Sequence, residues 1–153
     1  MRTFILGGAA SGKSAFAESL CVQADKPLVY IATAQPFDAE MRTKISDHQA
    51  RRGAGWTTVE APLDMPAALA SRPAQEVVLI DCATLWLSNL LLAEAELEAA
   101  SDAFISALAS CPASIVVVSN EVGQGIVPET PLGRTFRNAQ GRLNQRLAAE
   151  CST

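Results

Sequence analysis

The chain has 153 residues, 49% of them apolar, enough to bury a core of its own without disulfide or metal staples. Twelve basic against sixteen acidic residues give a net charge of −4, which argues against non-specific nucleic-acid binding driven by phosphate neutralisation. No apolar run approaches the roughly 20 residues that span a bilayer, so no transmembrane segment is expected.

Thr3-Phe4-Ile5-Leu6 is a short apolar run that reads as a buried strand, and it leaves no room for a leader, so a cytoplasmic protein is expected. Gly7-Gly8-Ala9-Ala10-Ser11-Gly12-Lys13-Ser14 follows, a G-x-x-x-x-G-K-S phosphate loop, and Ser14 to Cys21 reads as the helix after it. Strand, glycine-rich turn and helix is the context in which backbone N–H groups converge on phosphate oxygens at a helix N-terminus. Lys13 would reach the β- and γ-phosphates, and the Ser14 hydroxyl would bind Mg²⁺. The motif predicts nucleoside triphosphate binding.

Leu28 to Thr33 is a second β-favouring run without alternation, as in parallel strands buried on both faces. Asp38 is placed to cap a helix starting near Ala39, with Met41, Ile45, His48 and Arg52 on one face and Gly53-Ala54-Gly55 ending it. His48 is the only histidine, and Lys44, Arg51 and Arg52 fall at helical neighbour spacings from it. These cations favour the neutral imidazole that can act as a nucleophile and could hold a triphosphate, while the residues alone favour a surface histidine on a solvated basic helix.

Trp56 to Glu60 is a strand candidate, and a small helix is expected over Met65 to Ala70. Glu76 to Asp81 is the clearest strand, four apolar residues ending in a carboxylate about seventy residues after the phosphate loop. That is the place of a Walker B aspartate holding Mg²⁺ opposite Ser14, or of a cap for the next helix. Helices are expected through Leu85 and Leu92, then from about Glu94 to Ser110 with Leu97, Phe104, Ile105 and Leu108 as its apolar stripe.

Ser114 to Ser119 is the fourth core strand, and Asn120 to Pro128 a long loop at its C-terminal end. Glu60 and Glu121, at strand ends, read either as partners of a base, ribose or hydroxyl or as ordinary loop residues. The last helix covers about Leu132 to Glu150, and its Arg134, Arg137, Arg142 and Arg146 read as a solvated face or as substrate-phosphate contacts. Cys21, Cys82, Cys111 and Cys151 form no C-x-x-C pair and are expected to be reduced, mostly buried thiols. The strand–helix alternation predicts an α/β fold with a doubly wound, mostly parallel sheet.

Taken together, the phosphate loop, Tyr30-Ile31-Ala32-Thr33-Ala34-Gln35, and Asp38 to Met41 running through Ile45, His48, Arg51, Arg52, Trp56 and Thr58 to Glu60 resemble one family. So do Leu79 to Leu91, Ser119-Asn120-Glu121-Val122-Gly123-Gln124-Gly125-Ile126-Val127-Pro128, Leu132 to Arg137 and Gly141 to Gln145. It is the bifunctional adenosylcobinamide kinase / adenosylcobinamide-phosphate guanylyltransferase family of cobalamin biosynthesis, matched in order over essentially the whole of residues 1–153. The phosphate loop alone would equally suit a small-metabolite kinase or a non-catalytic nucleotide-binding module.

The resemblance implies a RecA-like phosphate-loop fold, one catalytic domain, a homotrimer, and adenosylcobinamide and its phosphate as substrates with ATP, GTP and Mg²⁺. It implies that His48 becomes guanylylated. It also implies nucleotide contacts from Gly7 to Ser14, from Thr33, Ala34 and Gln35, from Ala50, Arg51, Arg52 and Gly53, and from Glu60 and Asp81. The stretch between Asp64 and Ala74 is short for the family. The family continues past the last helix into a strand and an apolar tail, where this sequence stops at Cys151-Ser152-Thr153.

Overall fold

A computed structural model describes residues 1–8, 11–35, 39–53, 55–121 and 130–152, without the side chains of His48 and Arg51. Ala9, Ala10, Asp38 (the cap expected for the second helix), Ala54 and the loop from Val122 to Pro128 therefore lie outside the described residues.

The elements run β1 (Arg2–Gly7), α1 (Lys13–Gln23), β2 (Leu28–Ala32), α2 (Ala39–Arg52), β3 (Trp56–Glu60), α3 (Met65–Leu69), β4 (Val77–Asp81), α4 (Ala83–Leu92), α5 (Leu97–Ser110), β5 (Ser114–Asn120) and α6 (Pro131–Glu150). The strands form one sheet in the order β1-β5-β4-β2-β3, and every described pairing is parallel. This is an α/β phosphate-loop fold built on one parallel sheet. Parallel neighbours require crossover helices, and these cover both faces.

Alternation along each strand divides the core in two. Val29, Ile31, Val78, Ile80, Ile115 and Val117 point to the face packed by α3, α4, α5 and α6, where Trp86, Phe104, Leu108, Leu143 and Leu147 complete a buried cluster. Tyr30, Val77, Leu79, Val116 and Val118 point to the face of α1, against Ala17 and Cys21. Strands buried on both sides carry continuous apolar runs, which is why β4 and β5 were legible as strands. Trp86 meets Phe104 edge to face at 5.0 Å and donates its indole N–H to the Leu63 carbonyl at 2.8 Å.

Two boundaries differ from the sequence reading. The helix expected from about Glu94 starts at Leu97, because Glu94 has φ 58 and the Glu96 carboxylate accepts the N–H groups of Glu98 and Ala99 as its cap. The cap of α4 is Cys82, whose sulfur accepts the Leu85 N–H at 3.4 Å, so Asp81 is not spent on that helix. Beyond α6, Ser152 donates its N–H and its hydroxyl to the Arg2 carbonyl on the outer edge of β1.

Candidate functional site

The register collects the chemistry at one end of the sheet. Gly7 lies beside Asn120, and Glu60, Ala32, Asp81 and Val118 lie in one row, so the C-terminal ends of all five strands face the same crevice. Open α/β sheets bind ligands at that edge.

At β1 the chain turns into the phosphate loop. Gly12 sits at φ 82 just before α1, a left-handed conformation that a side chain would strain. A Cβ on Gly7 would lie 2.8 Å from the Ser11 hydroxyl, which would have to turn away to admit it. The Lys13 ammonium reaches back to the Gly8 carbonyl at 2.9 Å.

Asp81 shares its strand face with Leu79 and Val77, the face covered by α1, and this brings it to Ser14 at the start of that helix. The Ser14 hydroxyl donates to Asp81 Oδ2 at 3.3 Å, and the Tyr30 hydroxyl donates to the same oxygen at 2.8 Å. A hydroxyl and a carboxylate side by side are hard oxygen donors that fit Mg²⁺. No cluster of three His, Cys, Asp or Glu side chains able to hold a metal occurs among the described residues. A cation here would complete its shell with phosphate and water oxygens.

Beside this pair lies a cavity of about 560 Å³, between α2 and the sheet. Tyr30, Ala32, Thr58, Glu60 and Asp81 form its floor, and Met41, Ile45, Gln49 and Arg52 line it from α2. Arg52 lays its guanidinium 3.4 Å from the centre of the Tyr30 ring, and its Nη1 is buried without a hydrogen-bond partner. A buried donor without an acceptor is one that a bound ligand would satisfy. Burial, the charge of Asp81 and the hydrogen bond to it push the Tyr30 phenol pKa up, so it stays a donor at neutral pH.

Of the residues singled out from sequence as site candidates, Ala34, Lys44, Arg52, Glu60 and Asp81 line the cavity, with Ser14 joined to it through Asp81. Gln35, Ala50 and Gly53 are not in its wall. His48 lies on α2, one turn before Arg52. Its side chain and that of Arg51 are outside the described set.

Thr33 departs from expectation. It is fully buried, and its hydroxyl donates to the Cys82 carbonyl and accepts the Cys82 N–H, at 2.9 and 2.8 Å. Its own carbonyl accepts from Asn89 at 2.7 Å. With those groups committed, Thr33 fixes the segment that follows Asp81 and presents no free hydroxyl to a ligand.

Arg142 and Arg146 pair across the surface with Glu98 and Asp102 of α5, which gives them the solvated-face reading. Glu121 is exposed and donates its N–H to the Gly7 carbonyl, extending the β1–β5 pairing.

Sequence reasoning did not single out Tyr30 or the buried network behind Asn120. There Thr84 accepts the Asn120 N–H and meets Ser119, whose hydroxyl bonds Asn144, while buried Gln140 donates to Ser119 and Asn144. The signal for Tyr30 was its alternation in phase with Asp81, readable only once β2 is known to lie beside β4.

The family model described as cobinamide kinase / cobinamide phosphate guanyltransferase matches residues 3–153. The chain belongs to that family. Its relatives include the bifunctional adenosylcobalamin biosynthesis protein CobP of Pseudomonas aeruginosa, 45% identical over 99% of this chain and 89% of that protein. The CobU proteins of the same description from Salmonella typhimurium and Escherichia coli are 41% and 40% identical, each over 97% of this chain and 91% of its own length. The phosphate loop and the cavity walled by α2 meet at one carboxylate, Asp81. Among the described residues no helix is long and apolar enough to cross a membrane.

Proposed function

We propose that this chain is a bifunctional cytoplasmic enzyme of cobalamin biosynthesis: it phosphorylates adenosylcobinamide with ATP or GTP, then transfers GMP from GTP through His48 to give adenosylcobinamide-GDP. The observation that carries the reading is the junction at Asp81, which joins the phosphate loop on one side and the α2-walled cavity on the other.

In the kinase reaction the terminal hydroxyl of the aminopropanol arm attacks the γ-phosphorus and the nucleoside diphosphate leaves. Gly7 to Ser14 cradle the phosphates, and Lys13 exchanges its contact with the Gly8 carbonyl for a phosphate oxygen. Ser14 and Asp81 would hold Mg²⁺, which supplies neutralisation of phosphate charge.

In the transferase reaction the His48 imidazole attacks the α-phosphorus of GTP, and the bond to the pyrophosphate leaving group breaks. The phosphate of adenosylcobinamide-phosphate then attacks the same phosphorus, the P–N bond breaks, and His48 is freed. Arg52 and Glu60 offer this nucleotide a donor and an acceptor in the cavity wall. The resemblance supports nucleotide contacts from Ala34, Gln35, Ala50, Arg51 and Gly53, and a homotrimer; Ala34 also lines the cavity.

The test is product analysis with adenosylcobinamide, Mg²⁺ and each nucleotide in turn. Adenosylcobinamide-phosphate with ATP, and adenosylcobinamide-GDP only when GTP is present, is the expected result. Phosphate product with no GDP derivative under GTP would leave a kinase alone and contradict the bifunctional reading.

A further inference from the structure

Tyr30 is the single tyrosine of the chain, and its hydroxyl and its ring make contacts of different kind. Its hydroxyl donates to Asp81 Oδ2 at 2.8 Å, the oxygen that also accepts from Ser14. Its ring carries the Arg52 guanidinium at 3.4 Å, and the edge-to-face contact with Trp56 at 6.2 Å fixes the ring plane. The backbone explains the reach. Tyr30 lies opposite Leu79, so Asp81 is its diagonal neighbour on the same sheet face, within range of a long aromatic side chain.

Arg52 is the last residue of α2, and Gly53, at φ 78, turns the chain out of the helix immediately after it. The cavity separates α2 from the sheet, so a ring that seats Arg52 holds the end of a helix that otherwise borders open space.

We infer that Tyr30 is a positioning residue with two separable duties: its hydroxyl orients Asp81 beside Ser14 for the metal–phosphate centre, and its ring anchors the C-terminal end of α2, the helix that bears His48. The inference rests on the function proposed above. A carboxylate oxygen pinned by a phenol loses one rotational option, which favours the rotamer that faces the phosphate loop. A cation seated on a ring sets where the last turn of α2 stands. Neither duty places Tyr30 on the reacting atoms.

The two duties come apart in two variants. Tyr30→Phe keeps the ring and removes the hydroxyl, whereas Tyr30→Leu removes both. GTP affinity is measured with Mg²⁺ and in EDTA in a His48→Ala background, where no covalent adduct forms. Tyr30→Phe should leave the EDTA affinity within about twofold and shrink the Mg²⁺ enhancement about tenfold, the scale of one hydrogen bond to a charged group.

With His48 present and Mg²⁺ saturating, intact mass follows GMP attachment over time. Tyr30→Leu should be guanylylated about tenfold or more slowly than Tyr30→Phe, a difference that isolates the ring from the hydroxyl. Should Tyr30→Leu not fold by circular dichroism, Tyr30→Met, which fills irregular space, takes its place.

A Tyr30→Phe chain with undiminished Mg²⁺ enhancement would overturn the hydroxyl's duty. Equal losses of binding and guanylylation in both variants would reduce Tyr30 to general fold support, and parental guanylylation without the ring would overturn the anchoring of α2. If the parent itself gains no affinity from Mg²⁺, or takes up no GMP, the proposed function fails first, which these arms separate from failure of Tyr30 alone.

Discussion

On the proposed function Asp81 and Lys13 would act through charge placed where phosphate charge collects, and their substitution should read out in rate. Lys13→Ala should lower the kinase kcat by about 10²- to 10³-fold, the usual cost of one preorganised donor to a developing charge. Steady-state phosphorylation of adenosylcobinamide measures it, and a loss under about tenfold would remove Lys13 from the reaction. The phosphate loop and Asp81 were legible as residues because their motif has a mechanism attached to fixed spacing. Tyr30 was not, since its hydroxyl acts across strands β2 and β4, whose adjacency a single sequence does not carry. Thr33 was legible as a residue of the site but not in its role, because hydrogen bonds to Cys82 are a tertiary fact.

Among the elements, β4 carries most weight, with Val78, Leu79 and Ile80 fully buried between the two helical layers. Leu79→Ala should destabilise the fold by about 2–5 kcal/mol, through lost transfer free energy and the cavity left behind. Urea denaturation measures this, and a change under about 1 kcal/mol would mean that the α1 face of the sheet repacks freely. Strands were readable from continuous apolar runs, and α2 from its helical spacing and the glycine after it. The start of α5 was not, because Glu94, Ala95 and Glu96 are acceptable helix residues, and the positive φ of Glu94 and the Glu96 cap set the boundary. Nor does spacing reveal that α2 stands off the sheet with a cavity beneath it, for that depends on what fails to pack.

Across the whole molecule, buried thiols couple stability to alkaline pH. Burial, with Glu18 second, pushes the Cys21 thiol from 9.0 to about 12, and burial, with Asp81 second, pushes Cys82 to about 11. Both folded-state values lie above the unfolded ones, so the unfolded chain releases these protons first. The stabilisation is whole below pH 9.0 and is lost as pH rises through about 11 to 12. Each thiol contributes a slope of about 1.4 kcal/mol per pH unit inside that window. The Tm should therefore fall above pH 9, and less steeply in Cys21→Ala. Parallel Tm profiles for parent and variant would contradict it.

Quaternary structure belongs to this scale as well. Family membership leads us to expect a trimer, which light scattering of the purified chain would show as three times the 16.1 kDa chain mass. A monomer that still carries out both reactions would detach assembly from the chemistry.

On the proposed function one chain runs phosphoryl transfer and nucleotidyl transfer around Asp81, the second through His48. Intact-protein mass after incubation with Mg²⁺ and GTP, with His48→Ala alongside, tests this. The prediction is a gain of one GMP per chain, labile to acid and absent from the variant. No gain in the parent while GTP still binds, or an equal gain in the variant, would contradict it.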